Sequence, residues 1–287
     1  MAKFVEAFNQ PGFLTNYNPF FLKDMSKAME RAVKAINNRE KIVLYGACDA
    51  DAICGVSLLL LLFKYLNADV EYYIHDSISK SLSTDAIRNH ISFLGAKLII
   101  TVGCSIESEL QASLCKEMSM DVLVLDNCEE GLSFGAICVN PKQKECLYKF
   151  KFLSYSGVAY KLAQALSMYY DMKGVIKYTD LVSIGTIASE LPLEYENEIL
   201  AYEGLEHISK SKNRGVKALI KVNGIENITL ESLKKMAACI KPTMNVVGKM
   251  DNARIAVELF TTSDGYRASQ IAKYLSKEVN NYINDAI

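Results

Sequence analysis

The sequence predicts an α/β protein: a parallel five-stranded sheet covered by helices, followed by a largely helical C-terminal part. Three observations carry that expectation. Five short apolar runs, Ile42 to Tyr45, Val70 to Ile74, Leu98 to Val102, Val122 to Leu125 and Ala136 to Val139, alternate with helical patterns. Each run is continuously apolar rather than alternating with polar residues, as strands buried on both faces are. Beyond Phe152 the period changes, and apolar residues recur at helical spacing in Val158 to Met168 and Leu181 to Ile187.

In chain order, Asn18-Pro-Phe-Phe-Leu-Lys-Asp-Met-Ser-Lys-Ala-Met29 leads into an N-terminal helix. The first strand then runs into Gly46-Ala-Cys-Asp-Ala-Asp-Ala-Ile53, which places two carboxylates one residue apart. Ligands of open α/β sheets bind outside the carboxyl ends of the strands. Asp49 and Asp51 are therefore candidate oxygen ligands for a divalent metal. Equally, one of them caps the helix that follows. That helix carries five consecutive leucines, Leu58 to Leu62. The Val56 to Phe63 run falls short of the ~20 apolar residues of a membrane span and reads as a helix packed on the sheet. The last segment, Ser263 to Ile287, sets Ala268, Ile271, Ala272 and Leu275 on one side of a helix, with Val279 continuing the stripe.

Composition narrows the class. At 287 residues and 50% hydrophobic, the chain can bury a large core in one or two domains. The expected division is 1–192 for the α/β core and 193–287 for the helical part. Met1-Ala-Lys-Phe-Val-Glu-Ala-Phe lacks the long apolar centre of an export signal, so a cytoplasmic protein with no membrane role is expected. Eight cysteines without a C-x-x-C pair argue against a zinc ribbon or a disulfide framework.

A net charge of −1 gives no global attraction to nucleic acid. Locally, Ala201 to Met250 holds nine Lys or Arg against four Glu. Lys210, Lys212, Arg214, Lys217 and Lys221 are the densest group, either a solvated helix face or a phosphate-contacting track. The sixteen tyrosines are dispersed and form no evident stacking platform.

Read together, the strand ends resemble the DHH-family phosphoesterases, and in particular the RecJ-like single-strand exonucleases. Gly46-Ala-Cys-Asp-Ala-Asp-Ala-Ile53 is similar to the family's G-D-Y-D-A-D-G-I, and Leu98-Ile-Ile-Thr-Val-Gly-Cys-Ser-Ile106 to L-I-I-T-V-D-N-G-I. Asp121-Val-Leu-Val-Leu-Asp-Asn-Cys-Glu129 resembles D-V-I-V-T-D-H-H-E, and Val139-Asn-Pro-Lys-Gln143 matches V-N-P-K-Q in full. Asp180-Leu-Val-Ser-Ile-Gly-Thr-Ile-Ala-Ser-Glu-Leu-Pro-Leu193 and Pro242-Thr-Met-Asn-Val-Val-Gly-Lys249 follow in the family's order. The similarity runs from about Asn18 to about Asn281. It implies a Rossmann-like sheet and a site for two metal ions at its carboxyl edge.

The departures from that pattern fall on the metal ligands. The leading Asp of the first motif is Ala47, the Asp after the third strand is Gly103, the two histidines of the signature triplet are Asn127 and Cys128, and the Asp of the A-D pair is Ser189. Asp49, Asp51 and Asp126 are kept, enough for at most one weakly held magnesium or manganese ion, and no other cofactor is expected. The segment Tyr73 to Leu82 lacks the family's R-x-x-E-G-Y-G-L groups, and the second domain that grips the strand is not found before Ile287. His75, His90 and His207 match no ligand position. Asn140, Lys142, Gln143, Asn245 and Gly248 are retained as structural motif residues.

Cys48, Cys104 and Cys128 all fall within the altered motifs, either filling vacated space or forming a rewired soft-metal or redox site. The expectation is a catalytically inactive RecJ-like protein that binds single-stranded nucleic acid or a protein partner in replication, repair or recombination. The alternatives are a weakly active metal-dependent phosphoesterase, and an assembly subunit without a nucleic-acid role. A stripe left open on the C-terminal helix would serve a partner protein or a homodimer.

Overall fold

Strand β1, Ile42–Ala47, contains no charged residue and is buried at every position, which fixes it as an interior strand. Around it, in a computed structural model describing residues 17–75, 80–129, 134–243 and 248–285, four more strands assemble: β2 Val70–His75, β3 Leu98–Val102, β4 Asp121–Leu125 and β5 Ile137–Val139. The sheet order is β2-β1-β3-β4-β5 and every neighbouring pair is parallel. Ile42 stands opposite Val70 on one side and Leu98 on the other, so the strands end nearly level. The order reverses direction between β1 and β3, the place where ligand crevices open in such sheets.

The helices are α1 Met25–Asn37, α2 Ala50–Tyr65, α3 Glu109–Glu117, α4 Tyr155–Tyr169, α5 Thr179–Ala188, α6 Tyr195–Ser209, α7 Arg214–Val222, α8 Leu230–Ile240, α9 Lys249–Thr261 and α10 Gly265–Asp285. Helix α2 is apolar all round because it is covered all round, by β1, β2 and β3 and by α4, α5 and α9. Leu58, Leu59, Leu60 and Leu62 are all buried, and each fully buried leucine contributes about 1.5–3 kcal/mol. The helix stops at Asn67, whose left-handed φ of 56° and N–H bond to the Lys64 carbonyl at 3.0 Å close its last turn. The expected membrane-free reading of this run agrees with its burial. Among the described residues, no helix is long and apolar enough to cross a membrane.

The five strands appear where the apolar runs placed them, within two residues at each end. The helical stretch expected between the second and third runs is irregular. Thr84–Ala86, Ile87–Ile91 and Ser92–Leu94 form three consecutive short turns of different pitch between β2 and β3. Ser83 caps the stretch through the Ala86 N–H, and Gly95 ends it at φ +71°. Ile87 and Ile91, four residues apart, are buried within it.

The expected division at 192/193 falls between α5 and α6, which pack directly on each other, and buried residues on both sides belong to one continuous core. The C-terminal helix corrects an expectation. Ala268, Ile271, Ala272 and Leu275 are buried against α7, α8 and α9, so the apolar stripe is covered by the chain's own helices rather than left open for a partner. An amphipathic helix takes whichever apolar surface is nearest, and here α7–α9 supply it. Residues 1–16, with the region read for an export signal, and Asn245 lie outside the described residues.

Candidate functional site

The carboxyl ends of β1, β3 and β4 bring together Asp49, Gly103 and Asp126, and Lys80 arrives from the connection after β2. Asp49 is the N-cap of α2. One carboxylate oxygen accepts the Ala52 N–H at 2.8 Å and the other accepts from the Lys80 ammonium at 2.9 Å. Capping and site chemistry thus share one residue.

Asp51, in the first turn of α2, is only 3% exposed and points at the start of α4. Its Oδ2 accepts the Tyr155 N–H at 2.7 Å, and its Oδ1 accepts the Ser156 N–H at 2.9 Å and the Ser156 hydroxyl at 2.6 Å. Both oxygens therefore cap the N-terminus of another helix, where free N–H groups favour an anion. Burial pushes this carboxyl up to about 7, with the Asp49 charge adding to the rise and the three hydrogen bonds opposing it. Asp126 is likewise buried. Its Oδ1 accepts the Asn127 N–H at 2.8 Å, and burial raises it against the hydrogen bonds from Cys128 and Asn127.

The positions where the resemblance implies ligands carry other work. Gly103 has φ +69°, and a Cβ built there would lie 2.9–3.1 Å from the ring of Tyr155. Asn127 donates to the Leu153 carbonyl at 2.8 Å, and Ser189 donates to the Thr186 carbonyl at 2.7 Å, closing the end of α5. Cys128 gives its carbonyl to Asn140 Nδ2 at 2.9 Å. The retained Asn140, Lys142 and Gln143 build the turn after β5: Asn140 Oδ1 accepts the Lys142 N–H at 2.8 Å, and Gln143 donates to the Cys138 carbonyl at 2.7 Å. Gly248 takes φ +91° immediately before α9.

Two divalent ions need several carboxylates with free oxygens and a ligand that bridges them. The residues present do not fit such a centre. Asp51 has both oxygens engaged, Asp49 faces an ammonium, and no group of three His, Cys, Asp or Glu side chains among the described residues could hold a metal ion.

A soft-metal or redox site is no better served. Burial, followed by the Asp126 charge, holds the Cys104 thiol well above its ordinary value and pushes Cys128 up to about 12, which favours the neutral thiols in the unliganded chain. Cys48 donates instead to the Lys249 carbonyl at 3.5 Å. His75 stacks on Tyr45, His90 lies tilted against Tyr73, and the His207 ring bonds the Glu203 carbonyl.

Sequence reading missed Lys80 and Tyr155. Lys80 also donates to the Tyr155 hydroxyl at 3.3 Å and sits 4.8 Å from the centre of its ring. Burial lowers the lysine, but Asp49 and Tyr155 together raise it above its ordinary value, so it stays charged. The available signal was the altered segment before Leu82, in which a lysine stands among serines. The basic group Lys210, Lys212, Arg214, Lys217 and Lys221 is exposed throughout, at the end of α6 and along α7. Helix α7 rests on α8, α9 and α10, and no ion pair or hydrogen bond among the described residues joins it to the aspartates.

The chain is 36% identical over 262 residues to the single-stranded-DNA-specific exonuclease RecJ of Bacillus subtilis, covering 89% of this chain and 32% of that protein. It is similar in structure to exonuclease RecJ bound to manganese, with a TM-score of 0.81 at 25% identity over 91% of this chain and 66% of the other. RecJ of Thermus thermophilus in complex with Mn2+ shares the fold at a TM-score of 0.78 and 24% identity, over 91% of this chain and 38% of that one. The Bacillus subtilis relative is thus about three times as long as the segment this chain matches. A family profile described as the N-terminal domain of the DHH family matches residues 41–186, which hold all five strands, α2 to α4 and nearly all of α5, and the chain belongs to the DHH family.

Proposed function

We propose that this chain is a RecJ-like DHH protein without phosphodiesterase activity, which acts by binding single-stranded nucleic acid in replication, repair or recombination. The observation that carries the reading is the occupation of the ligand positions. The Tyr155 ring fills the space beside Gly103, and Asn127 and Ser189 donate to the Leu153 and Thr186 carbonyls. An attacking water would find neither a bridging ligand nor a free general base there.

Binding is assigned to the exposed basic group on α6 and α7. Phosphate contacts of that kind are indifferent to sequence and depend on salt. An end-labelled oligonucleotide incubated with the full chain and manganese or magnesium is expected to stay intact. In the same preparation, fluorescence anisotropy should report binding that weakens with salt and weakens further when Lys210, Lys212 and Arg214 are replaced by Ala. Degradation that disappears in Asp49→Ala would overturn the loss of activity. Unchanged affinity in the triple variant would remove the basic group from the interface.

A further inference from the structure

We propose that Lys80, held against the ring of Tyr155, is a built-in cation that stands in place of a divalent metal at the strand ends and excludes one. The inference rests on the reading of the site as altered, but it concerns metal binding and is tested separately from hydrolysis.

The backbone of Lys80 is fixed. Its carbonyl accepts the Ser105 N–H at 2.9 Å, the Ser105 carbonyl accepts the Leu82 N–H at 2.8 Å, and Ser81 and Ser105 form an isolated parallel bridge between the segments that follow β2 and β3. From that anchor the side chain reaches Asp49 at 2.9 Å and the Tyr155 hydroxyl at 3.3 Å, with its ammonium over the aromatic face, and so occupies the Asp49 oxygen on which a single, largely hydrated ion would otherwise be held. A carboxylate and a ring face form a cage that attracts a cation, and the chain supplies the cation itself.

Tyr155 ties the arrangement together through three parts of the residue. Its N–H binds Asp51, its hydroxyl receives Lys80, and its ring lies within 2.9 Å of where a Cβ at Gly103 would stand. The present place of the ring and a side chain at position 103 exclude each other. The glycine, the tyrosine and the lysine therefore form one connected arrangement.

A metal ion entering this site would have to break the Asp49–Lys80 pair and shed its own water, which magnesium does reluctantly. The displaced ammonium is tethered, so it stays nearby and repels the ion.

The test is a manganese titration of the full chain, following free Mn2+ by electron paramagnetic resonance. The wild type and Lys80→Arg should leave added manganese free. Lys80→Ala should take up one ion, with affinity raised by about tenfold or more as the repulsion is removed. Lys80→Met, which keeps the aliphatic stem over Tyr155, should do the same and serves if the alanine variant fails to fold. Saturable uptake by the wild type at the affinity of the variants would overturn the proposal. So would a folded Lys80→Ala or Lys80→Met that binds no more manganese than the wild type. If neither variant folds, the wild-type titration decides, since uptake refutes the proposal and its absence supports it.

Discussion

Two lysines of this chain each meet an acidic partner, in opposite surroundings. Lys161 in α4 and Glu196 in α6 form an ion pair whose side chains are 2% and 3% exposed. Lys161 also donates to the Tyr17 carbonyl at 2.8 Å and lies 5.6 Å from the Tyr148 ring, while the Tyr148 hydroxyl donates to Glu196. Every charge there is enclosed and answered within the protein. Lys80 and Asp49 pair at 2.9 Å with side chains 51% and 33% exposed, at the open end of the sheet. The enclosed pair joins elements of the core. The open one sits where the fold's crevice faces solvent, so its partners can change without disturbing the core.

The largest effect should come from breaking the enclosed pair. Lys161→Met leaves the Glu196 carboxylate buried without its counter-charge, an arrangement that costs about 3–5 kcal/mol. Urea denaturation would measure it. Adding Glu196→Leu should restore much of the loss, because a well-packed apolar pair can match a buried ionic one. If the single variant unfolds at the wild-type midpoint, Lys161 contributes no more than an exposed lysine and the contrast collapses.

Sequence and structure agree best where burial dictates the residue type. Strands β1 and β3 and helix α2 were legible because elements buried along their length must be apolar along it, and the edge strand β2 was legible despite its exposed Glu71 through its aliphatic and aromatic residues. Asp49 and Asp126 were legible as residues at strand ends. Their partners were not. Lys80 lies five residues beyond β2 and Tyr155 some fifty residues beyond Gly103, and nothing in local periodicity links them. The assignment of Asp51 to α4 was equally hidden, because it depends on how α2 and α4 cross. The covered stripe of α10 was readable as amphipathic, but its cover came from three helices whose packing is a tertiary fact.

A pH series sharpens the description of the enclosed centre. Beside it, Glu203 is pushed up to about 7, first by burial, with Lys161 opposing and Glu196 reinforcing the shift. Burial likewise raises Asp180 to about 6 against its bond from Ser211 at 2.6 Å. An acid whose folded value lies above its ordinary one holds more protons folded than unfolded. Its contribution to stability therefore falls as pH rises from about 4 to about 7. For Glu203 that fall is about 1–3 kcal/mol. Denaturation midpoints measured at pH 5 and pH 8 should decline with pH in the wild type and decline less in Glu203→Gln. An identical slope in the variant would mean that Glu203 titrates at its ordinary value in the folded chain.

The smallest effect on stability should come from the open pair. Lys80→Ala removes an ion pair that solvent already screens, and exposed pairs of this kind contribute about 0.2–1 kcal/mol. The loss should shrink as salt is added, because both groups lie within reach of counter-ions. The Lys161→Met loss should persist under the same salt, since ions do not enter the core. The pair of salt series is thus the direct test of the contrast. A Lys80→Ala variant as damaged as Lys161→Met, and indifferent to salt, would mean that the open site carries structural weight of its own. Lys80 would then be a core residue lying at the surface, and its agreement with the vacated metal position would need another explanation. A small, salt-sensitive loss would leave Lys80 free to be what its geometry suggests, a charge placed for the site rather than for the fold.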